Sequence, residues 1–142
     1  MCAGSILWNA AASRIASPEA FIIVIGFISS TRCPNRANVV VKLADGRHEI
    51  VHVDKMCNEC GNCTQFCPYS SEPCHDKFTL FQTAEDMVDS HNAGVLFLGG
   101  DKVRVRTFGE PKDYDLSGKN DLPVDLEKLI VTLRDKYSYL YL

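Results

Sequence analysis

Cys57-Asn58-Glu59-Cys60-Gly61-Asn62-Cys63-Thr64-Gln65-Phe66-Cys67-Pro68 is the stretch around which the rest of the chain is organised. It puts four cysteines into eleven residues, spaced C-x2-C-x2-C-x3-C-P without a mismatch. Cysteines three residues apart in a compact loop can turn successive sulfurs toward one centre, but they are poorly placed to bridge one another. Gly61 lets the backbone approach closely, and Pro68 stiffens the chain just after Cys67. Seven cysteines occur in all, at positions 2, 33, 57, 60, 63, 67 and 74. An odd count argues against a fully paired disulfide framework. Tight clustering without a clear export signal favours reduced thiols that hold a metal in the cytosol.

This spacing is the bacterial ferredoxin-type run, which ligates a cubane through successive thiolates. Backbone N–H groups of such a loop can point at cluster and cysteine sulfurs, stabilising negative charge and helping to set the potential. Zinc also takes four thiolates, but its sites usually show two separated C-x2-C knuckles. Here three cysteines share one loop, which favours one [4Fe–4S] cluster. The fourth ligand must come from elsewhere. Cys33 is the natural choice, because it too precedes a proline and a hairpin joins it to Cys57. In two-cluster ferredoxins the last cysteine of one motif completes the other cluster, and by that logic Cys33, Cys57, Cys60 and Cys63 bind together. Cys67 would then serve a second cluster with partners at positions 29, 26 and 23. Those positions hold Ser29, Gly26 and Ile23, so a second cluster is expected to be absent. Cys67 is left as a free thiol or as a replacement for Cys33, and Cys74 reads as a free thiol outside the motif, with recruitment as a ligand the alternative.

Outward from the loop, the pattern predicts an α+β fold: a ferredoxin-like [4Fe–4S] half-motif with a β-hairpin, beside a second hairpin and a C-terminal helix. Val39-Val40-Val41 and Ile50-Val51-His52-Val53 read as strands joined by a turn at Ala44-Asp45-Gly46-Arg47. Residues 54–74 read as a loop. Thr83 reads as a helix cap, with Glu85 and Asp86 in the first turn. Residues 95–98 and 103–108 flank Gly99-Gly100-Asp101 as the second hairpin, with Arg104 and Arg106 on a solvated face. Residues 109–121 are polar and turn-rich, hence a loop. Asp121 is the expected cap of the last helix, with Pro123 in its first turn. Leu126, Leu129, Ile130 and Leu133 then form one apolar stripe. Tyr137, Tyr139 and Tyr141 read as a frayed tail or a contact patch.

The rest of the chain excludes more than it suggests. Its 142 residues amount to about one domain. A net charge of −3, with no recognisable motif, argues against nucleic acid. The apolar run at residues 21–28 (FIIVIGFI) is too short for a membrane span. It reads as a buried strand or helix, with an export signal as the alternative. His48, His52, His75 and His91 are scattered, and His52 on its strand reads as a satisfied structural histidine. Gly99-Gly100 lacks the spacing of a phosphate-cradling loop, so no flavin or NADPH site is expected. A cytoplasmic location follows from the reduced thiols.

A family resemblance rests on particular residues. Cys33-Pro34-Asn35-Arg36-Ala37-Asn38-Val39, His52-Val53-Asp54, Met56-Cys57-Asn58-Glu59-Cys60-Gly61-Asn62-Cys63, Phe66-Cys67-Pro68-Tyr69 and Asp76-Lys77-Phe78-Thr79-Leu80-Phe81 resemble the iron–sulfur segment of selenate reductase subunits. That family consists of long iron–sulfur flavoproteins, similar in part to the glutamate synthase small subunit and to dihydropyrimidine dehydrogenase. The resemblance covers roughly residues 33–110. It implies a segment from near the C-terminus of a longer chain, behind flavin and NADPH domains. The family's cysteine-rich first motif is missing before Cys33, so residues 1–32 are expected to be a non-family segment. Residues 33–82 are then the ferredoxin-type domain and residues 83–142 an α+β extension. The expected role is an electron-transfer component of an oxidoreductase, partnered by a flavoprotein or another redox subunit. The alternatives are a structural metal-binding module and a degenerate fragment without function.

Overall fold

The computed structural model describes residues 33–66, 77–107 and 109–142. Cys2, Cys67, Cys74, His75, Phe108 and the apolar run at residues 21–28 lie outside them.

Six strands form one sheet in sequence order: β1 (Asn38–Lys42), β2 (His48–Val53), β3 (Phe78–Phe81), β4 (Gly94–Gly99), β5 (Lys102–Arg106) and β6 (Lys112–Asp115). β1–β2 and β4–β5 are the two expected hairpins, with Val40 opposite Ile50 and Phe97 opposite Val103. Gly46 at φ 87° makes the first turn, and Gly99 and Gly100 at φ 113° and 60° make the second. β3 joins the hairpins and runs parallel to both β2 and β4. All four β3 residues, Phe-Thr-Leu-Phe, are buried. Such a strand is covered on both faces and shows no alternation to read.

Alternation along the other strands gives the sheet two different faces. Val41, Val51, Val53, Val95, Val103 and Val105 join Leu80 in a core closed by α3 (Val124–Lys136). Leu126, Leu129, Ile130 and Leu133 are the helix side of that core, as the stripe predicts. Each such side chain contributes about 1.5–3 kcal/mol of burial free energy. The opposite face carries Phe81 and Leu96, covered by Met87 of α2 (Ala84–Asp89). Thr83 caps α2 in a reciprocal box with Asp86, which satisfies two otherwise orphaned donors.

Four expectations are corrected. Residues 109–121 are not all loop, because Lys112–Asp115 pairs with β5 as an edge strand. Arg104 holds Asp113 across that pairing at 2.6 Å. Asp121 does not cap α3. Pro123, extended at ψ 136°, is the residue before Val124, and no side chain caps the helix. Arg106 is not solvated. Its Nε donates to the Asn92 carbonyl at 2.9 Å and its Nη1 to the Met87 carbonyl at 2.8 Å. The guanidinium also lies 5.7 Å from the centroid of the Phe81 ring. The alternation of Arg104 and Arg106 was sound, but α2 covers the sheet at Arg106 and not at Arg104. Finally, residues 54–66 are not bare loop. They hold a 3-10 turn, Asp54–Met56, and a short helix α1, Asn62–Gln65.

Tyr137 and Tyr141 pack against the core, while Tyr139 is exposed. Tyr141 stacks on Phe97 at 4.1 Å, and Tyr137 accepts a hydrogen bond from the Lys42 N–H. Among the described residues, no helix is long and apolar enough to cross a membrane.

Candidate functional site

The sheet topology carries the cysteines to one end. β1 runs antiparallel to β2, so the start of one lies beside the end of the other, with Asn38 opposite His52. Cys33 precedes β1 and Cys57 follows β2, and the hairpin between them folds the two arms back together. Cys33, Cys57, Cys60 and Cys63 consequently line a single pocket, with Asn38, His52, Asn58, Glu59 and Gly61. That pocket is small, about 10 Å³, and is partly open to solvent. All four cysteines are free thiols. Cys33 and Cys63 are buried, Cys57 is half-buried and Cys60 is exposed. No three His, Cys, Asp or Glu side chains among the described residues are grouped so as to hold a metal ion. The four thiols line one pocket without closing on a point.

Local backbone geometry aims donors at two of the sulfurs. Arg36 sits at φ 54° in a turn closed by its N–H to the Cys33 carbonyl at 3.1 Å. The Ala37 N–H then reaches Cys33 Sγ at 3.3 Å. Glu59 at φ 52° likewise brings its N–H to Cys57 Sγ at 3.3 Å. Left-handed conformations are rare for side chains other than Gly, Asn and Asp, and they cluster at functional sites. Gly61, at φ 75°, turns the chain into α1, which carries Cys63 inward. Burial pushes the Cys57 thiol up. The Glu59 N–H opposes this, while the charges of Cys33 and Cys63 reinforce it.

Beside the pocket, and sharing Glu59 with it, lies a cavity of about 470 Å³ whose walls include Asp54, Asp86, Asp89 and His91. β2 and β3 are parallel, so the segments leaving them, one with Asp54 and one with Asp86, emerge at the same end of the sheet. Burial, then the charges of Asp86 and Glu59, raise the Asp54 carboxyl above its ordinary value. An acid whose pKa is raised by folding costs stability when ionised. The cost is relieved as pH falls through the folded value toward the ordinary 3.8. Asp54→Asn should therefore raise the thermal midpoint slightly at neutral pH, with the gain shrinking as the solution is acidified through that window. Circular-dichroism melts at several pH values check this, and a gain that grows on acidification would contradict it.

Every candidate ligand inside the described residues reaches the pocket. Cys67, the alternative ligand, lies outside them. Two pocket residues were not read as site residues in the sequence, although both fall in the stretches that carry the family resemblance. Asn38 carried no signal by itself. His52 was read as structural, which its hydrogen bond to Asn38 bears out, but that reading overlooked its place on the pocket wall.

No family model matches the chain, and no solved structure does. The chain is 38% identical over 117 residues to the protein described as "Putative oxidoreductase YgfK" in Escherichia coli strain K12. It is 39% identical over 117 residues to the protein of the same description in Escherichia coli O157:H7. The alignment takes in 76% of this chain and spans 11% of the length of each relative.

Proposed function

We propose that the chain is an iron–sulfur electron-transfer module that holds one [4Fe–4S] cluster on Cys33, Cys57, Cys60 and Cys63. The observation that carries this reading is that four free thiols, from two arms far apart in sequence, line the same pocket. The donor set suits the group: iron–sulfur clusters are held by cysteine thiolates, with backbone N–H groups directed at sulfur. When bound, such a cluster accepts and returns single electrons.

The residues divide the remaining work. Buried Cys33 and Cys63 hold the inner side away from water. Exposed Cys60 leaves an edge near the surface, where an electron can cross to a partner. The N–H groups of Ala37 and Glu59 spread negative charge away from the sulfurs of Cys33 and Cys57. The acidic wall beside the pocket gives the docking side a negative field suited to a basic face on a flavoprotein or other redox subunit. The names of the two relatives support a redox role. The short span of the match fits a module working within, or alongside, a larger oxidoreductase.

Purification without oxygen tests the reading. Iron and acid-labile sulfide near four per chain, with an EPR signal that appears on dithionite reduction, are the expected result. Zinc in place of iron, or a cluster that does not change redox state, would make the metal a structural staple. An aggregating apoprotein would leave no electron-transfer role.

A further inference from the structure

The wall of the cysteine pocket contains a buried polar pair that joins the two strands of the hairpin. His52 Nδ1 donates to Asn38 Oδ1 at 2.9 Å. Asn38 and His52 are 2% and 1% exposed, and they occupy directly opposed positions on β1 and β2. The hairpin does not require a polar pair there. Backbone pairing runs over five opposed positions, and at the next position Val39 faces Val51 across the other side of the sheet. Two apolar side chains would hold the strands as well, without the desolvation that buried polar groups incur.

The position of the pair suggests its use. It lies at the end of the hairpin where both ligand-bearing arms begin. From Asn38 the chain runs back through Ala37, whose N–H is bonded to Cys33 Sγ. From His52 it runs on through Val53 and the 3-10 turn, where the Cys57 N–H bonds the Asp54 carbonyl at 2.9 Å. Between the arms, the Val53 N–H donates to the Ala37 carbonyl at 2.7 Å. We infer that the Asn38–His52 hydrogen bond is a clamp that fixes the Cys33 arm against the Cys57–Cys63 loop, and so keeps the fourth thiolate in place. His52 and Asn38 are thus positioning residues, acting through Cys33. This inference rests on the proposed cluster.

The test compares wild type, His52→Leu and His52→Asn, each purified without oxygen and titrated with ferricyanide. Ferricyanide takes one electron and one Fe²⁺ leaves, converting [4Fe–4S]²⁺ to [3Fe–4S]⁺, which EPR detects in the oxidised state. His52→Leu removes the donor and should convert about fivefold faster, the weight of roughly one buried hydrogen bond. His52→Asn should stay within about twofold of wild type, because its side-chain amide can still donate to Asn38 Oδ1. In a Cys33→Ser background, where the expected cluster already has three irons, His52→Leu should leave the iron content and the EPR signal as they are in Cys33→Ser alone, since the arm then has no ligand to position. Equal rates in all three proteins would overturn the clamp, and so would His52→Asn converting as fast as His52→Leu. If His52→Leu does not fold, Asn38→Ala removes the acceptor and takes its place under the same criteria. If wild type itself binds no cluster, the proposed function falls and the clamp with it. A wild-type cubane indifferent to His52 removes the clamp alone.

Discussion

Gly94→Ala is expected to destabilise the protein by about 3 kcal/mol or more, the upper range for overpacking a rigid interior. A methyl group built at Gly94 would stand 2.2 Å from the Thr79 carbonyl oxygen and 2.5 Å from the Phe81 ring. Neither neighbour can yield cheaply. Thr79 is the residue opposite Gly94 in the parallel β3–β4 ladder, and its N–H bonds the Ala93 carbonyl at 2.9 Å. The Phe81 ring is enclosed by Met87, Leu96 and the Arg106 guanidinium. At a few degrees per kcal/mol for a chain of this size, the thermal midpoint should fall by about 10 °C. Gly118→Ala is the control, because nothing lies within 4 Å of a methyl group there. Melts of the two variants followed by circular dichroism decide the matter. Equal midpoints would mean that β3 and β4 do not approach each other as described.

Gly94 also marks the limit of what local sequence could reveal. The turns at Asp45-Gly46 and Gly99-Gly100, the Thr83 cap and the α3 stripe are short-range features, written where they act. Each was legible, because only certain residues tolerate the backbone or the burial involved. β3 was not, since a four-residue strand buried on both faces has neither the length nor the alternation that identifies one. β6 was missed for the opposite reason. Lys-Asp-Tyr-Asp is a polar edge strand, held by ladder bonds and by pairs such as Arg104–Asp113 rather than by an apolar face. That both hairpins belong to a single sheet depends on β3 pairing with each, a non-local event that no window of sequence contains. The candidate site divides along the same line. The cysteine spacing nominated Cys57, Cys60 and Cys63, and the Cys33-Pro34 pair, the hairpin that joins it to Cys57 and the ligand-sharing habit of two-cluster ferredoxins nominated Cys33. Asn38 and His52 became visible only when the strand register set them opposite one another beside the thiols.

A serine series across the cysteines should give the largest functional effect and assign the fourth ligand. Serine matches the shape of cysteine, but its hydroxyl stays protonated at neutral pH and is a harder, poorer ligand for iron. Cys57→Ser, Cys60→Ser and Cys63→Ser each break the one loop that supplies three thiolates together. Iron should fall from about four per chain to below about one, with loss of the reducible EPR signal. Cys33→Ser removes a ligand that arrives on a separate arm, so the loop's three thiolates remain grouped. The expected product is a three-iron species. Cys67→Ser should keep the wild-type iron content and spectrum. Folding has to be measured alongside, because Cys33 and Cys63 are each 8% exposed, and a buried hydroxyl without a partner costs about 1–3 kcal/mol. Cys60→Ser avoids that cost, since Cys60 is exposed, so loss of iron there with an unchanged melt isolates ligation from stability. The reverse pattern, with Cys67→Ser depleting iron and Cys33→Ser not, would move the fourth ligand into the loop and leave Cys33 as a core thiol beside it. Full retention of iron in Cys57→Ser, Cys60→Ser and Cys63→Ser alike would remove the cluster from this pocket altogether.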